Sequence, residues 1–350
     1  MMNNNKRPTI ATVAAQAGLS VATVDRVLNA RAPVSDDTAQ RVFAAAEAVG
    51  YFAARLIGQR IRERRPSYRF GILLLSTAAD YYANLAKAIG EAARDHPGAN
   101  LSCQFEYIHD RSPAAIIAHI EQLAVQCDGL AVVSYAHPAI NACLAQVRAA
   151  GVPAVALLSD IDEHFQEPYV GLDNHEFGRT LGWLLAHTCG AREGSVGVLL
   201  GGHRFIGHQT RVDGLRSYLD QHAPGLHLLD ALINMDNSDI SEEATLDLLA
   251  RHDDLRGLCV VGGGGDGIIS ALRQLPQQPR LCCVVPESTG RSLQALRDGL
   301  LRAVIDTPTT ATAQALMNLL VDLQTDTRFD AQRHRIKVAL QIITAENARP

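Results

Sequence analysis

The chain lacks several things that would have pointed elsewhere. None of its apolar runs approaches about 18 residues, so no membrane-spanning helix is expected. The opening MMNNNKRPTIATV has no apolar segment before a small-residue cleavage site, so no secretory signal is expected. Seven cysteines are present but none forms a C-x-x-C pair, and the odd count fits reduced thiols in a cytoplasm. Catalytic signatures are missing too. No G-x-S-x-G turn occurs, His203 and His208 lack H-E-x-x-H spacing, and the 13 histidines are scattered without a metal constellation. The glycine loop Gly262 to Gly265 has neither G-x-G-x-x-G spacing nor a following G-K-[ST], which argues against a dinucleotide cofactor. No enzyme, cofactor or metal is therefore expected.

What remains is an apolar fraction of 47% with only 5% aromatics, the texture of an Ala/Leu/Val-rich α/β protein rather than a disordered one. At 350 residues, two or three domains are expected. Charge divides them. Residues 1–65 hold ten Lys/Arg against five acids, while the rest hold 22 against 32, so a basic head precedes an acidic body.

Within the head, Thr9 to Asn29 reads as two short helices meeting at Gly18. Thr9 and Ser20 are N-cap candidates, Val13, Ala14 and Ala17 form one apolar face, and Val24, Val27 and Leu28 form the other. Gly18 suits the left-handed position that ends a helix. This is the helix-turn-helix pattern, whose second helix is able to enter a DNA major groove. A third helix opens at Ser35, buries Val42, Ala45, Ala46 and Val49, and stops at Gly50. A short fourth helix over 53–61 leads into the Arg run before Pro66, where the boundary is placed. The expected domains are 1–52 for the helical head, 53–67 for a hinge helix and 68–350 for the body.

From residue 69 strands and amphipathic helices alternate. Strands are expected at 70–75, 101–108, 129–134, 152–158, 195–200, 226–233, 257–261, 281–285, 302–306 and 336–343, with helices between. Such alternation implies parallel sheets covered on both faces, and ten strands suit two doubly wound lobes. The lobes are expected to comprise 68–173 plus 288–306, and 174–287 plus 307–350. Ligands in such folds bind beyond the carboxyl ends of strands. The loops there carry Tyr81 and Tyr82, Asp160, Asp266, and Glu287. Carboxylates holding hydroxyl donors beside an aromatic face suit a polyhydroxylated ligand.

At this point the residues resemble a known family. Thr9 to Tyr51, with Ser20 to Asn29, Val34-Ser35 and Ala44 to Tyr51, resembles the DNA-binding head of the lac/gal repressor (LacI) family. The body is similar to that family's periplasmic sugar-binding-protein-like effector domain, through Tyr169 to Asn174, Gly178-Arg179, Arg211 to Gly214, Gly262 to Ile268, Glu287 to Thr289 and Asp298-Gly299. The resemblance implies a homodimeric regulator, a repressor by family habit, that binds a pseudo-palindromic double-stranded operator. It also implies a cytoplasmic, nucleoid-associated protein controlled by a small sugar or polyol effector, with no membrane partner. Val21, Ala22, Thr23, Arg26 and Asn29 would then face bases, Arg26 pairing with guanine and the apolar pair meeting thymine methyls. Thr9, Ser35, Thr38 and Asn29 are expected at phosphates. Asp25 replaces a small Ser, and is expected to accept from cytosine N4 or to pair with a neighbouring Arg such as Arg26. In the hinge, Phe52-Ala53 replaces the usual Pro, and Arg60 stands at the position of the Leu wedge with Ile61 beside it. Either Ile61 inserts with a register change or the kinking mode is absent, and Arg55 and Arg60 are then expected to read a narrow minor groove by charge. The resemblance also puts Arg211 in the effector cleft, Asp160 and Glu287 at ligand-contacting positions, and Gly262-Gly263 where relatives carry an Asn-Asp pair. The alternatives are a sugar-binding transport component or an α/β enzyme with a DNA-binding appendage.

Overall fold

The computed structural model describes residues 7–29, 34–75, 80–162, 164, 167–276, 280–326, 328 and 330–349; the side chains of 36, 60, 61 and 80 lie outside that description. The chain forms two compact units, Met1–Ser67 with Pro97–Asn100, and Tyr68–His96 with Leu101–Pro350.

In the first unit, α1 (Ile10–Ala17) begins at a reciprocal cap in which Thr9 and Thr12 each accept the other's backbone N–H at 3.3 Å. It ends at Gly18, φ +64°, and Arg41 Nη2 donates to the orphan Ala17 carbonyl at 2.9 Å. Helix α2 (Val21–Asn29) starts where Ser20 Oγ accepts from Thr23 N at 3.1 Å. Helix α3 (Asp36–Ala48) is capped by Ser35, and Tyr51 N closes its end on Ala46 O at 2.8 Å around Gly50, φ +69°. Val13, Val24, Val42, Ala46 and Ile57 form the small core; Val49 is only half-buried, because it sits at the helix end. Helix α4 (Ala54–Arg64) approaches α3 closely at Gly58, where a Cβ would stand 2.7 Å from Phe43 Cε2.

From Ser67 onward the elements are β1 (Ser67–Leu75), α5 (Asp80–Arg94), β2 (Asn100–Ile108), α6 (Pro113–Gln126), β3 (Gly129–Val132), α7 (Pro138–Ala149), β4 (Ala154–Leu157) and β5 (Tyr169–Gly171). There follow α8 (Asn174–Thr188), β6 (Gly194–Leu200), α9 (Ile206–His222), β7 (Leu226–Leu228), β8 (Leu232–Ile233), α10 (Ser238–Arg251), β9 (Leu255–Val260) and α11 (Gly265–Gln274). The chain finishes with β10 (Cys282–Pro286), α12 (Gly290–Arg297), β11 (Ala303–Asp306), α13 (Thr309–Thr325), α14 (Ala331–His334), β12 (Arg335–Lys337) and β13 (Gln341–Ile343).

Two sheets result, ordered β12-β5-β4-β3-β1-β2 and β13-β11-β10-β9-β6-β7, with β8 also on β6. All described body pairings are parallel except β11 with β13. The expected lobe boundaries are corrected by these pairings. Strand β11 pairs with β10, so 288–306 belongs to the second lobe. Helix α13 buries Leu316, Leu319 and Leu320 in the first lobe's core, and β12 pairs with β5, so most of 307–337 belongs to the first. The expected strand 336–343 is in fact two strands, one in each sheet, and 226–233 is likewise broken into β7 and β8. The chain thus passes between lobes after β5, after β11 and after β12. Apolar periodicity is the same on either side of such a passage, so it could not reveal which sheet each strand joins.

One helix pair in the second lobe is packed unusually closely. A Cβ on Gly178 of α8 would overlap the Arg211 carbonyl oxygen of α9, and one on Gly214 would overlap the His175 carbonyl. Glycine at these positions lets the two backbones touch, which fixes where Arg211 begins its reach toward the cleft. Gly178→Ala is expected to destabilise the protein by about 1–3 kcal/mol through overpacking. Gly90→Ala, in α5 with nothing within 4 Å of the new methyl, should instead stabilise it by about 0.5–1 kcal/mol. Urea denaturation of the two variants checks this, and equal effects would refute the close-packing account.

Candidate functional site

The carboxyl ends of both sheets face one cavity. Its wall includes Tyr81, Tyr82, Ser159, Asn174, Phe205, His208, Arg211, Asp236, Gly262, Gly263 and Glu287. The lobes are held together across it. Arg111, following β2, pairs with Asp236, following β8, at 3.0 Å, and Gly207 N donates to Ser159 Oγ at 3.1 Å. Ala136 N bonds Arg204 O at 3.1 Å.

Arg211 is the most constrained cation there. Its Nε donates to Asn174 Oδ1 at 2.8 Å, its Nη1 to Val261 O at 2.7 Å, and its guanidinium lies 4.1 Å from the centre of the Phe177 ring. Burial lowers its pKa, with Glu287 among the groups acting the other way. Glu287 is pushed up to about 8, mainly by burial; Arg211 opposes the shift, while Asp236, Asp306 and Asp266 reinforce it. At neutral pH its carboxyl therefore keeps its proton and is able to donate. Burial also drives His208 down to about 4, so its imidazole is neutral. Tyr81 and Tyr82 are both raised, chiefly by burial. Tyr81 Oη and His208 Nδ1 are buried without a hydrogen-bond partner among the described residues.

The backbone around the cleft is strained. The described non-glycine residues with positive φ are Leu158 (+66°), Met235 (+55°), Asp236 (+55°) and Glu287 (+69°), and three of these line the cavity while Met235 adjoins it. Such conformations persist where the surroundings impose them, and they concentrate at ligand sites.

Of the sequence-predicted effector residues, Tyr81, Tyr82, Arg211 and Glu287 come together. Asp160 does not line the cavity. It accepts from Arg335 Nη2 at 2.7 Å in a largely buried ion pair, and Arg335 also lies over the Tyr169 ring. Asp266 does not line this cavity either: it sits at the start of α11 on a smaller adjoining recess that shares Pro286 and Glu287 with it, 3.8 Å from Arg291. The loop 76–79 lies outside the described residues. Sequence reasoning missed Asp236 and Arg111, although the strand-end rule that selected the other loops applies equally after β2 and β8. His208 stands in the first turn of α9. The glycines at 262 and 263 now have a reason. A Cβ on Gly262 would stand 2.5 Å from His208 Cε1 and 2.8 Å from Asp236 Oδ1, and Gly263 N donates to Asp236 at 2.8 Å. Asp236 occupies the space that larger residues on that loop would take.

On the head, α2 exposes Val21, Ala22, Arg26 and Asn29, with Thr23 half-buried. Asp25 Oδ1 accepts from Asn29 Nδ2 at 2.6 Å. Thr9, Ser35 and Arg55 are exposed and Thr38 half-exposed. The side chains of Arg60 and Ile61 lie outside the described residues. Among the described residues no group of His, Cys, Asp or Glu is placed to hold a metal, and no helix is long and apolar enough to cross a membrane.

This geometry agrees with what the chain is similar to. The family model for the periplasmic binding protein domain matches residues 70–327, and that for bacterial regulatory proteins of the lacI family matches residues 9–53. The chain belongs to the periplasmic binding protein domain family and carries a lacI-family head. Among its relatives, the HTH-type transcriptional regulator MalR of Streptomyces coelicolor is 29% identical over 61% of this chain and 59% of that protein. GalS of Salmonella typhimurium, likewise named an HTH-type transcriptional regulator, is 27% identical over 70% of this chain and 68% of its own length. The chain therefore spans less than two thirds of MalR. The glucose-galactose binding protein GanP of Geobacillus stearothermophilus shares the two-lobed fold, with a TM-score of 0.71 over 81% of this chain and 99% of that one at 14% identity. A solute binding protein of Agrobacterium vitis bound with α-D-tagatopyranose aligns over 80% and 95% with a TM-score of 0.72 and 17% identity. Both sequence relatives are named as transcriptional regulators.

The raised Glu287 pKa has a consequence for stability. The group binds its proton more tightly folded than unfolded, so its stabilising contribution is full below about 4.5 and is lost as pH rises through about 8. Between about pH 5 and about pH 9 the wild type should therefore lose melting temperature relative to Glu287→Gln, which has no proton to lose. Parallel melting curves across that range would contradict the assignment.

Proposed function

We propose that the protein is a DNA-binding transcriptional regulator whose operator affinity is set by a small sugar-like or polyol effector held between its two lobes. The observation that carries this is the junction of a lacI-family head with a cleft lined by Arg211, Glu287, Tyr81, Tyr82 and Asp236. The cleft collects hydrogen-bonding groups around an aromatic wall, which is what a hydroxylated ligand needs. No catalytic constellation accompanies them among the described residues.

In this reading the head acts as one half of a homodimer on a pseudo-palindromic operator, in the cytoplasm at the nucleoid, and the bound protein represses. Val21, Ala22, Thr23, Arg26 and Asn29 meet base edges, with Asp25 orienting Asn29. Thr9, Ser35 and Thr38 meet phosphates, and Arg55, Arg60 and Ile61 approach the minor groove. Effector binding biases the balance between open and closed lobes, of which the Arg111–Asp236 pair marks the closed form. The reported kinship with proteins named as binding glucose, galactose or tagatose supports a sugar-sized occupant.

Footprinting with and without a panel of sugars and polyols tests the proposal. A protected pseudo-palindrome whose protection changes with one ligand is expected, and no protection under any condition overturns it. Arg26→Ala should weaken operator binding about 5- to 150-fold, the range of one bidentate base contact of about 1–3 kcal/mol. Unchanged affinity would remove Arg26 from the reading surface.

A further inference from the structure

We propose that the effector is a hydroxylated carboxylate, a sugar acid, whose carboxylate pairs with Arg211; this rests on the effector reading above. The geometry of charge in the cleft points to it. All the partners of Arg211 are neutral: the Asn174 amide, the Val261 carbonyl and the Phe177 ring. Its hydrogen bonds use Nε and Nη1; among the described residues Nη2 has none, and no carboxylate lies within ion-pair distance of the guanidinium.

The acids of the cavity do not supply the missing charge. Asp236 is occupied by Arg111 at 3.0 Å and by Gly263 N at 2.8 Å. Glu287 is protonated at neutral pH, and His208 is neutral. Arg211 is thus left without a carboxylate partner among the described residues; the buried Asp306 nearby accepts from Ser288 N at 2.7 Å. A guanidinium withdrawn from water in this way is costly without a counter-charge, and a carboxylate is its geometric match.

A second observation locates the acceptor. Tyr81 is only 5% exposed, lines the cavity, and has no hydroxyl partner among the described residues. A carboxylate beside Arg211 would accept from that O–H. The hydroxyls of the same ligand then have protonated Glu287 as donor, His208 Nδ1, Ser159 and Asp236 around them, while Tyr82 and Phe205 cover its C–H face. A neutral sugar would satisfy the hydroxyl partners but leave Arg211 without a carboxylate partner.

The test is calorimetric titration of the full chain at neutral pH with matched sets of five- and six-carbon ligands. Each set contains an aldonate, the corresponding aldose and the corresponding alditol, for example D-gluconate, D-glucose and D-glucitol. The best-bound aldonate is expected to exceed its neutral counterparts at least about tenfold, or about 1.4 kcal/mol. Arg211→Met should abolish that preference. Should this variant fail to fold, the wild-type comparison stands alone, since it needs no substitution. Neutral members binding as well as or better than the acids would overturn the inference and leave the effector reading intact. A panel in which nothing binds would overturn both.

Discussion

A guanidinium removed from water needs compensation from its surroundings, and much of the second lobe is arranged to hold one. Arg211 leaves α9 where that helix touches α8 backbone to backbone at Gly178 and Gly214. Asn174, at the start of α8, then accepts from its Nε, and the last residue before the glycine loop offers its carbonyl to Nη1. Phe177, one turn along α8, supplies the ring face. Helix packing, loop position and the placement of the charge are therefore a single constraint, and loosening any one displaces the others.

The opposite side of the cleft obeys a different constraint, that of volume. Asp236 fits only because Gly201, Gly262 and Gly263 lack side chains. The acid comes from the loop after β8 instead of from the glycine loop, and there it reaches across to Arg111 of the other lobe. The same residue shapes the pocket and joins the lobes. Its positive φ, shared with Leu158, Met235 and Glu287, shows that the strand ends are bent into the cavity against their own preference.

Parts of this were legible in the residues alone. Thr9, Gly18, Ser20, Ser35 and Gly50 act where capping chemistry put them, since caps depend on neighbours three or four positions away. The strand-end rule found Tyr81, Tyr82 and Glu287, and the family resemblance found Arg211. Asp160 and Asp266 were misjudged for one reason. A loop acid looks the same whether it faces a cleft or an arginine, and Arg335, the partner of Asp160, lies 175 residues further on.

The sequence by itself determined the helical head, the alternation of strands and helices, and the loops from which a site had to be built. Each of these depends on local periodicity, capping and turn chemistry, which act within a few residues. Only the tertiary structure decided which sheet receives β11, β12 and β13, that Asp236 and Arg111 meet, and that Glu287 keeps its proton. Those outcomes depend on chain crossings, desolvation and charges brought together from distant segments, and none of these leaves a periodic trace in the chain.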